Sequence, residues 1–116
     1  MEPLGPQVGT ITGHLFESLV ALSLHTYAEV NRAQLRTFRS EGGEREIDFI
    51  VEKHNAVVAI EVKMAPTATS HDVRHLNWLR SQLGERLVAA VVITTGQHVY
   101  RRKDGVLVVP AALLGA

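Results

Sequence analysis

Three residues near the middle of the chain have the types and spacing to do chemistry together. In "EREIDFIVEKHNAVVAIEVK", Glu44 to Lys63, Asp48 interrupts a run of Ile, Phe and Val, and Glu61 and Lys63 interrupt a second apolar run. Two carboxylates can hold a hard divalent cation, and an ammonium beside them can orient a nucleophile and stabilise developing negative charge. The spacing brings them together. If His54-Asn55 is a two-residue turn, Lys53 faces Ala56, and counting back sets Asp48 directly opposite Glu61. Like charges placed so destabilise a sheet, so something must stand between them: a shared proton, a cation from Lys63 or Arg39, or a divalent metal.

The same count through Gly42-Gly43 sets Thr37 opposite Asp48 and Arg39 opposite Glu46, diagonal to Asp48. One face of a three-stranded meander would then gather Thr37, Arg39, Asp48, Glu61 and Lys63, while Val58, Ile60 and Val62 point to the other. Magnesium, or manganese in its place, suits such a site, because it takes oxygen ligands and needs only one or two carboxylates beside water and phosphate. Glu17 shares a stripe with Gly13, Val20, Ala21 and Leu24, neighbours expected of a sheet-facing side, so a helix carrying it over the hairpin would complete a three-carboxylate site.

The elements that must position these groups follow from periodicity. Thr10 to Asn31 repeats Leu15, Leu19, Leu22 and Phe16, Val20 at helical steps. Leu35 to Glu41, Glu44 to Lys53 and Ala56 to Met64 read as strands, the first two joined by a Gly-Gly turn. Ser70 is the expected N-cap of a second helix, with Asp72 in its first turn, Val73, Leu76, Leu79 and Leu83 on one face and Gly84 at its stop. "RLVAAVVITT" reads as a central strand buried on both faces, "HVYRRKDGVLVVP" as a hairpin around Asp104-Gly105, and Pro110 as the start of a short helical tail. The order is αβββαβββα.

At 116 residues and 12.7 kDa the chain has room for one domain, residues 1–116, and its composition, 46% hydrophobic and 21% charged, is that of a globular protein. It has no cysteine, which removes disulfide and thiolate-metal chemistry and fits a cytoplasmic setting. No apolar run approaches membrane-spanning length, so no membrane partner is expected. A net charge of zero leaves any nucleic-acid contact to a local basic patch.

"GHLFESLV", "FRSEGGEREIDFIV" and "AIEVK" together resemble the signature of the PD-(D/E)XK, or restriction-endonuclease-like, nuclease fold. The similarity, from Gly13 to about Pro110, is closest to the C-terminal domain of unassigned function found behind the ATPase module in prokaryotic AAA-type ATPases. The resemblance implies an α/β fold in which a mixed sheet is flanked by helices, with an αβββαβ core. It assigns the helix acid to Glu17, the motif aspartate to Asp48 and the acid-X-lysine motif to Glu61-Val62-Lys63, with Glu17, Asp48 and Glu61 around the metal. Arg39 matches an arginine frequent in the ATPase-linked group and, with Thr37, is the candidate for substrate binding. The motif proline is replaced by Ile47. "GPQVGTITG" lacks the GxxxxGK[ST] of a P-loop, so the ATPase would lie elsewhere, in a longer protein or a separate subunit. The activity implied is metal-dependent cleavage of nucleic acid, DNA before RNA; the alternative is a catalytically silent accessory or assembly domain of an AAA-type ATPase.

Each feature also has a plain structural reading. Asp48, Glu61 and Lys63 could form a cross-strand ion cluster, and Glu17 could be a solvated helix residue. His71 and His75 are spaced for a zinc pair but lack a third ligand, and are expected on a surface helix. Arg101, Arg102 and Lys103 could grip phosphate or simply solubilise a hairpin tip. Trp78 is expected to be a partly buried packing residue.

Overall fold

The computed structural model describes residues 6–114, with side chains from Thr12 onward. Helix α1 (Pro6–Asn31) leads into strands β1 (Gln34–Arg39), β2 (Glu46–Lys53) and β3 (Ala56–Lys63), then helix α2 (Arg74–Leu83), β4 (Leu87–Thr94), β5 (Tyr100–Arg101) and β6 (Leu107–Pro110). One six-stranded sheet runs in the order β1-β2-β3-β4-β6-β5. The expected αβββαβ order is present. β1, β2 and β3 form an antiparallel meander, and β4 joins β3 in parallel through the α2 crossover. As expected of a central strand, β4 lies between two parallel neighbours, β3 and β6, with Ala90, Val92, Ile93 and Thr94 buried. After Pro110 the tail is a single 3₁₀ turn, Ala111–Leu113.

The sheet has a core on each face. Ile47, Ala59, Val92 and Val108 meet Val73, Leu76 and Leu79 on the α2 side. Phe49, Val51, Ile60 and Ile93 meet Val20 and Leu24 of α1 on the other. The helical repeat read along α1 therefore belongs to two faces. Phe16, Val20, Leu24 and Ala28 turn inward, whereas Leu15, Leu19 and Leu22 are exposed. The helix stops in a Schellman arrangement: the Ala33 N–H donates to the Ala28 carbonyl at 2.8 Å and the Arg32 N–H to Glu29 at 3.2 Å, with Arg32 at φ 55°.

Helix α2 is prepared one turn before it begins, and not by Ser70. The Asp72 N–H donates to Thr69 Oγ1 at 3.2 Å while the Thr69 N–H donates to Asp72 Oδ2 at 2.8 Å, a reciprocal capping box of the T-x-x-D form. Ser70 instead accepts from Arg102 Nη2 at 3.1 Å. That arginine also donates to the Ala68 carbonyl at 2.6 Å and reaches Asp104 at 3.2 Å, so the middle residue of the basic run ties the β5–β6 hairpin to the α2 approach. It is neither a free phosphate grip nor a solubilising tip.

The β1–β2 connection is longer than a two-residue turn. Gly42 and Gly43 take the positive φ values expected, 86° and 78°, but within a six-residue loop in which Ser40 and Arg45 exchange hydrogen bonds. Arg39 faces Glu46 as counted; beyond Phe38↔Ile47 the register shifts, and pairing resumes at Arg36↔Ile50. Three steps along β2 against two along β1 make a bulge at Asp48 and Phe49. The bulge reverses the alternation, so that Ile47 faces α2 while Phe49 and Val51 face α1. Thr37 therefore lies opposite the bulge and not simply across from Asp48.

Candidate functional site

The β2–β3 register runs from Lys53↔Ala56 to Phe49↔Ile60, as the two-residue His54-Asn55 turn requires. One step further would pair Asp48 with Glu61. There the backbone ladder ends and side chains replace it. Asp48 Oδ2 accepts the Val62 N–H at 2.8 Å, and Glu61 Oε1 accepts the Asp48 N–H at 3.3 Å. The two side chains thus cross the same gap, each accepting an N–H from the other strand's backbone. Glu61 and Lys63 share the parity of Ala59, which places this end of the hairpin on the α2 face.

Asp48, Glu61 and Lys63 line one cavity of about 290 Å³, closed on the helix side by Asp72, Arg74 and His75. Its electrostatics follow from crowding two acids into a half-buried space. Burial, then the Asp48 charge, push the Glu61 carboxyl up to about 8. Asp48 is raised as well, first by burial and then by the charges of Glu17 and Glu46, against the lowering effect of the Val62 amide. A carboxyl raised to about 8 keeps its proton at neutral pH, so a proton on Glu61 is the relief this chain itself supplies.

Lys63 projects toward this side but its ammonium is engaged with Asp72, Nζ to Oδ1 at 3.2 Å, with 47% of the lysine side chain exposed. Burial alone would raise Asp72, but hydrogen bonds from Thr69 and the Lys63 ammonium hold it below the usual carboxylate range. The capping residue of α2 is thus also the partner of the site lysine. Nothing in local periodicity shows that link, although the T-x-x-D pattern itself was readable as a capping box.

Glu17 corrects an expectation. It is exposed on α1, which packs on the opposite face of the sheet, and it lines a separate depression with Gly13, His14 and Met64. Among the described residues no three acidic or histidine side chains are grouped to hold one metal ion. Val20 and Leu24 are buried and Phe16 packs against the same core, but Glu17 beside them stays exposed, near Val62 and Met64 on the α1 side of the sheet. Arg39 is exposed and bound to Glu46, Nε to Oε1 at 2.6 Å, at the outer wall of the cavity; Thr37 is exposed beside it. His75, expected on the surface, is instead half-buried in the cavity wall. Trp78 packs as expected, 5.7 Å from Phe38 between ring centroids and 5.2 Å from the Arg45 guanidinium.

Residues 12–114 match the model of the family described as a domain of unknown function, DUF4143. The chain belongs to the DUF4143 family. No curated protein and no solved structure matches it. For this DUF4143 chain the chemistry must therefore be argued from the cavity. No helix among the described residues is long and apolar enough to cross a membrane.

Proposed function

We propose that this DUF4143 chain is a divalent-metal-dependent phosphodiesterase of the PD-(D/E)XK kind, acting on nucleic acid, DNA before RNA, in the cytoplasm. The observation that carries the reading is the approach of Asp48 and Glu61 in one polar cavity, each accepting a backbone N–H from the other's strand, with Glu61 pushed up to about 8. Crowded acids of this kind are relieved by a proton or by a cation, and their oxygen donors suit magnesium or manganese. Asp48 and Glu61 would be the ligands. When bound, the ion would lower the pKa of its water and offset charge on the phosphate.

The remaining roles belong to the protein. Lys63 has three N–H donors; one serves Asp72, which holds the ammonium at the cavity, and another would orient the attacking water and meet developing charge. Glu17 acts from outside the cavity, through its field at Asp48 or through ordered water, and not as a direct ligand. Arg39 and Thr37, exposed on β1, would meet the substrate backbone, Arg39 after exchanging Glu46, which lines the cavity, for phosphate.

A second reading is favoured by one observation. Leu15, Leu19 and Leu22 on α1 are 57% to 64% exposed, an apolar stripe suited to covering by an ATPase portion of the same protein or a separate subunit, with the acid pair then serving assembly. The test is a cleavage assay over single-stranded and duplex DNA and RNA with magnesium or manganese, beside calorimetric metal titration. Lys63→Ala is expected to abolish cleavage and keep the metal. A wild-type protein that takes up no divalent ion and cuts nothing leaves the accessory reading in its place.

A further inference from the structure

One polar atom in the cavity wall has no employment in the fold. His75 Nδ1 is buried and lacks a hydrogen-bond partner among the described residues. An unpartnered buried polar atom is costly, and on a residue that lines a cavity it is matched to a group that enters there. The surroundings say what sign that something has. The Arg74 and Arg45 charges both act on His75, and with burial they hold its imidazole below the usual range, hence neutral; His71 adds to this and Glu46 opposes it. Arg74 also lines the cavity and acts on Glu61 across it. Arg45 is held in place on the Trp78 ring. Arg74 Nη1 donates to the His71 carbonyl at 2.7 Å, which leaves its other guanidinium N–H groups for a ligand, whereas Arg39 is bound to Glu46, Arg102 to Ala68, Ser70 and Asp104, and Lys63 to Asp72.

We propose that the α2 wall of the cavity is a phosphodiester subsite, in which His75 Nδ1–H donates to a non-bridging phosphate oxygen and Arg74 and Arg45 supply the counter-charge. The phosphate sits between α2 and the Asp48–Glu61 pair, so the inference rests on the nucleic-acid reading of that pair while naming different residues. Substrate contact shifts from the β1 edge to the helix. A neutral imidazole suits the task, because a single N–H gives direction without trapping the anion.

The test uses the whole chain, a fluorescein-labelled oligothymidylate read by anisotropy in calcium, and manganese calorimetry in parallel. His75→Ala is expected to weaken oligonucleotide binding about tenfold, the loss of one hydrogen bond to a charged group. His75→Asn, whose amide N–H lies near the Nδ1 position, is expected to stay within about threefold of wild type. Arg74→Ala is expected to reduce the slope of log affinity against log salt by about one. Both His75 variants should keep the wild-type manganese affinity and melt near wild type, since Nδ1 bonds to nothing among the described residues. Wild-type binding by His75→Ala, or equal losses from Ala and Asn, overturns the subsite. If manganese binds but the oligonucleotide does not, the subsite fails and the metal pair stands. If the oligonucleotide binds, weakens on His75→Ala and manganese is not taken up, the subsite stands and the metal reading fails.

Discussion

The two ends of the β2–β3 hairpin are built from the same two strands and differ in what closes them. At the His54-Asn55 end the backbone does all the work: a two-residue turn fixes Lys53↔Ala56, and regular pairs follow to Phe49↔Ile60. At the other end the β1–β2 bulge turns β2 away, the ladder stops, and the Asp48 and Glu61 side chains accept the backbone N–H groups that remain. The first end spends its hydrogen-bonding groups on itself. The second leaves two acids half-buried, with Glu61 pushed up to about 8, in a cavity that Arg74 and His75 of α2 line from the helix side. A chain can thus be regular where register is set and irregular where charge is held, and the irregularity keeps polar groups unsatisfied enough to bind.

If that contrast is right, changes at the two ends should have separable effects. The largest is expected from Asp48→Asn, which removes one anionic donor: divalent affinity should fall on the order of 100-fold or more, since even outer partners of metal ligands are worth about 10–100-fold. Lys53→Ala, at the closed end, should leave it unchanged. Parallel calorimetric titrations with manganese would show this, and equal metal affinity in wild type and Asp48→Asn would break the contrast.

The next effect is a pH dependence. The folded Glu61 carboxyl titrates at about 8 against an ordinary value of 4.5, so the fold binds its proton more tightly than the unfolded chain does. That contribution to stability is full below about 4.5 and is lost as pH rises through 8; Asp48, also raised, has the same sign. His75, held low, loses stability in the opposite direction, as pH falls below its ordinary value of 6.5. The window from about pH 7 to 8.5 therefore isolates the acids. Without divalent ions the melting temperature should fall across it. Glu61→Gln should flatten the fall, and magnesium should offset it. A melting temperature that rises across this window in wild type would show that the pair is not proton-linked.

How far this could be read from the sequence differs between the same two ends. Turn length fixed the Lys53↔Ala56 register, and with it the approach of Asp48 to Glu61, because a pairing count propagates without knowledge of packing. The bulge was hidden. Ile47, Phe49, Ile50 and Val51 are all apolar, so the run fits either parity, and only the packing of Ile47 against α2 and Phe49 against α1 decides it. Glu17 was expected on the sheet-facing stripe of α1 and is exposed at its edge, because a helical repeat gives a face but not which of its residues the sheet covers. Asp72 reaches Lys63 through a connection whose path local rules do not specify. His75 was assigned to the surface because helix α2 was expected to start near Ser70; its regular turns begin at Arg74, and His75 in the first of them lines the cavity.

The Asp72 link gives a smaller expected effect, confined to the open end. Asp72→Ala removes half of the capping box and the Lys63 partner, and should cost about 1 kcal/mol, roughly 4 °C in melting temperature for a chain of this size. The ion pair adds little, being half-exposed on the lysine side. Because Thr69 and Asp72 act as one box, Thr69→Ala combined with Asp72→Ala should cost less than the sum of the two. Additive losses would mean that the two hydrogen bonds form independently.

The smallest effect belongs to the closed end. His54 opens the two-residue turn at φ 56°, a left-handed conformation that a side chain adopts only at a cost. His54→Gly removes that cost but gives the unfolded chain more freedom, so the two terms nearly offset and a gain of about 0.5 kcal/mol remains. The melting temperature should rise by roughly 2 °C, which differential scanning calorimetry resolves. Manganese affinity should not move, because the regular pairs between the turn and Asp48 hold the register whatever occupies position 54. If His54→Gly did change metal affinity, the two ends would be mechanically coupled through the strands, and the separation of a register-setting end from a charge-holding end would have to be abandoned.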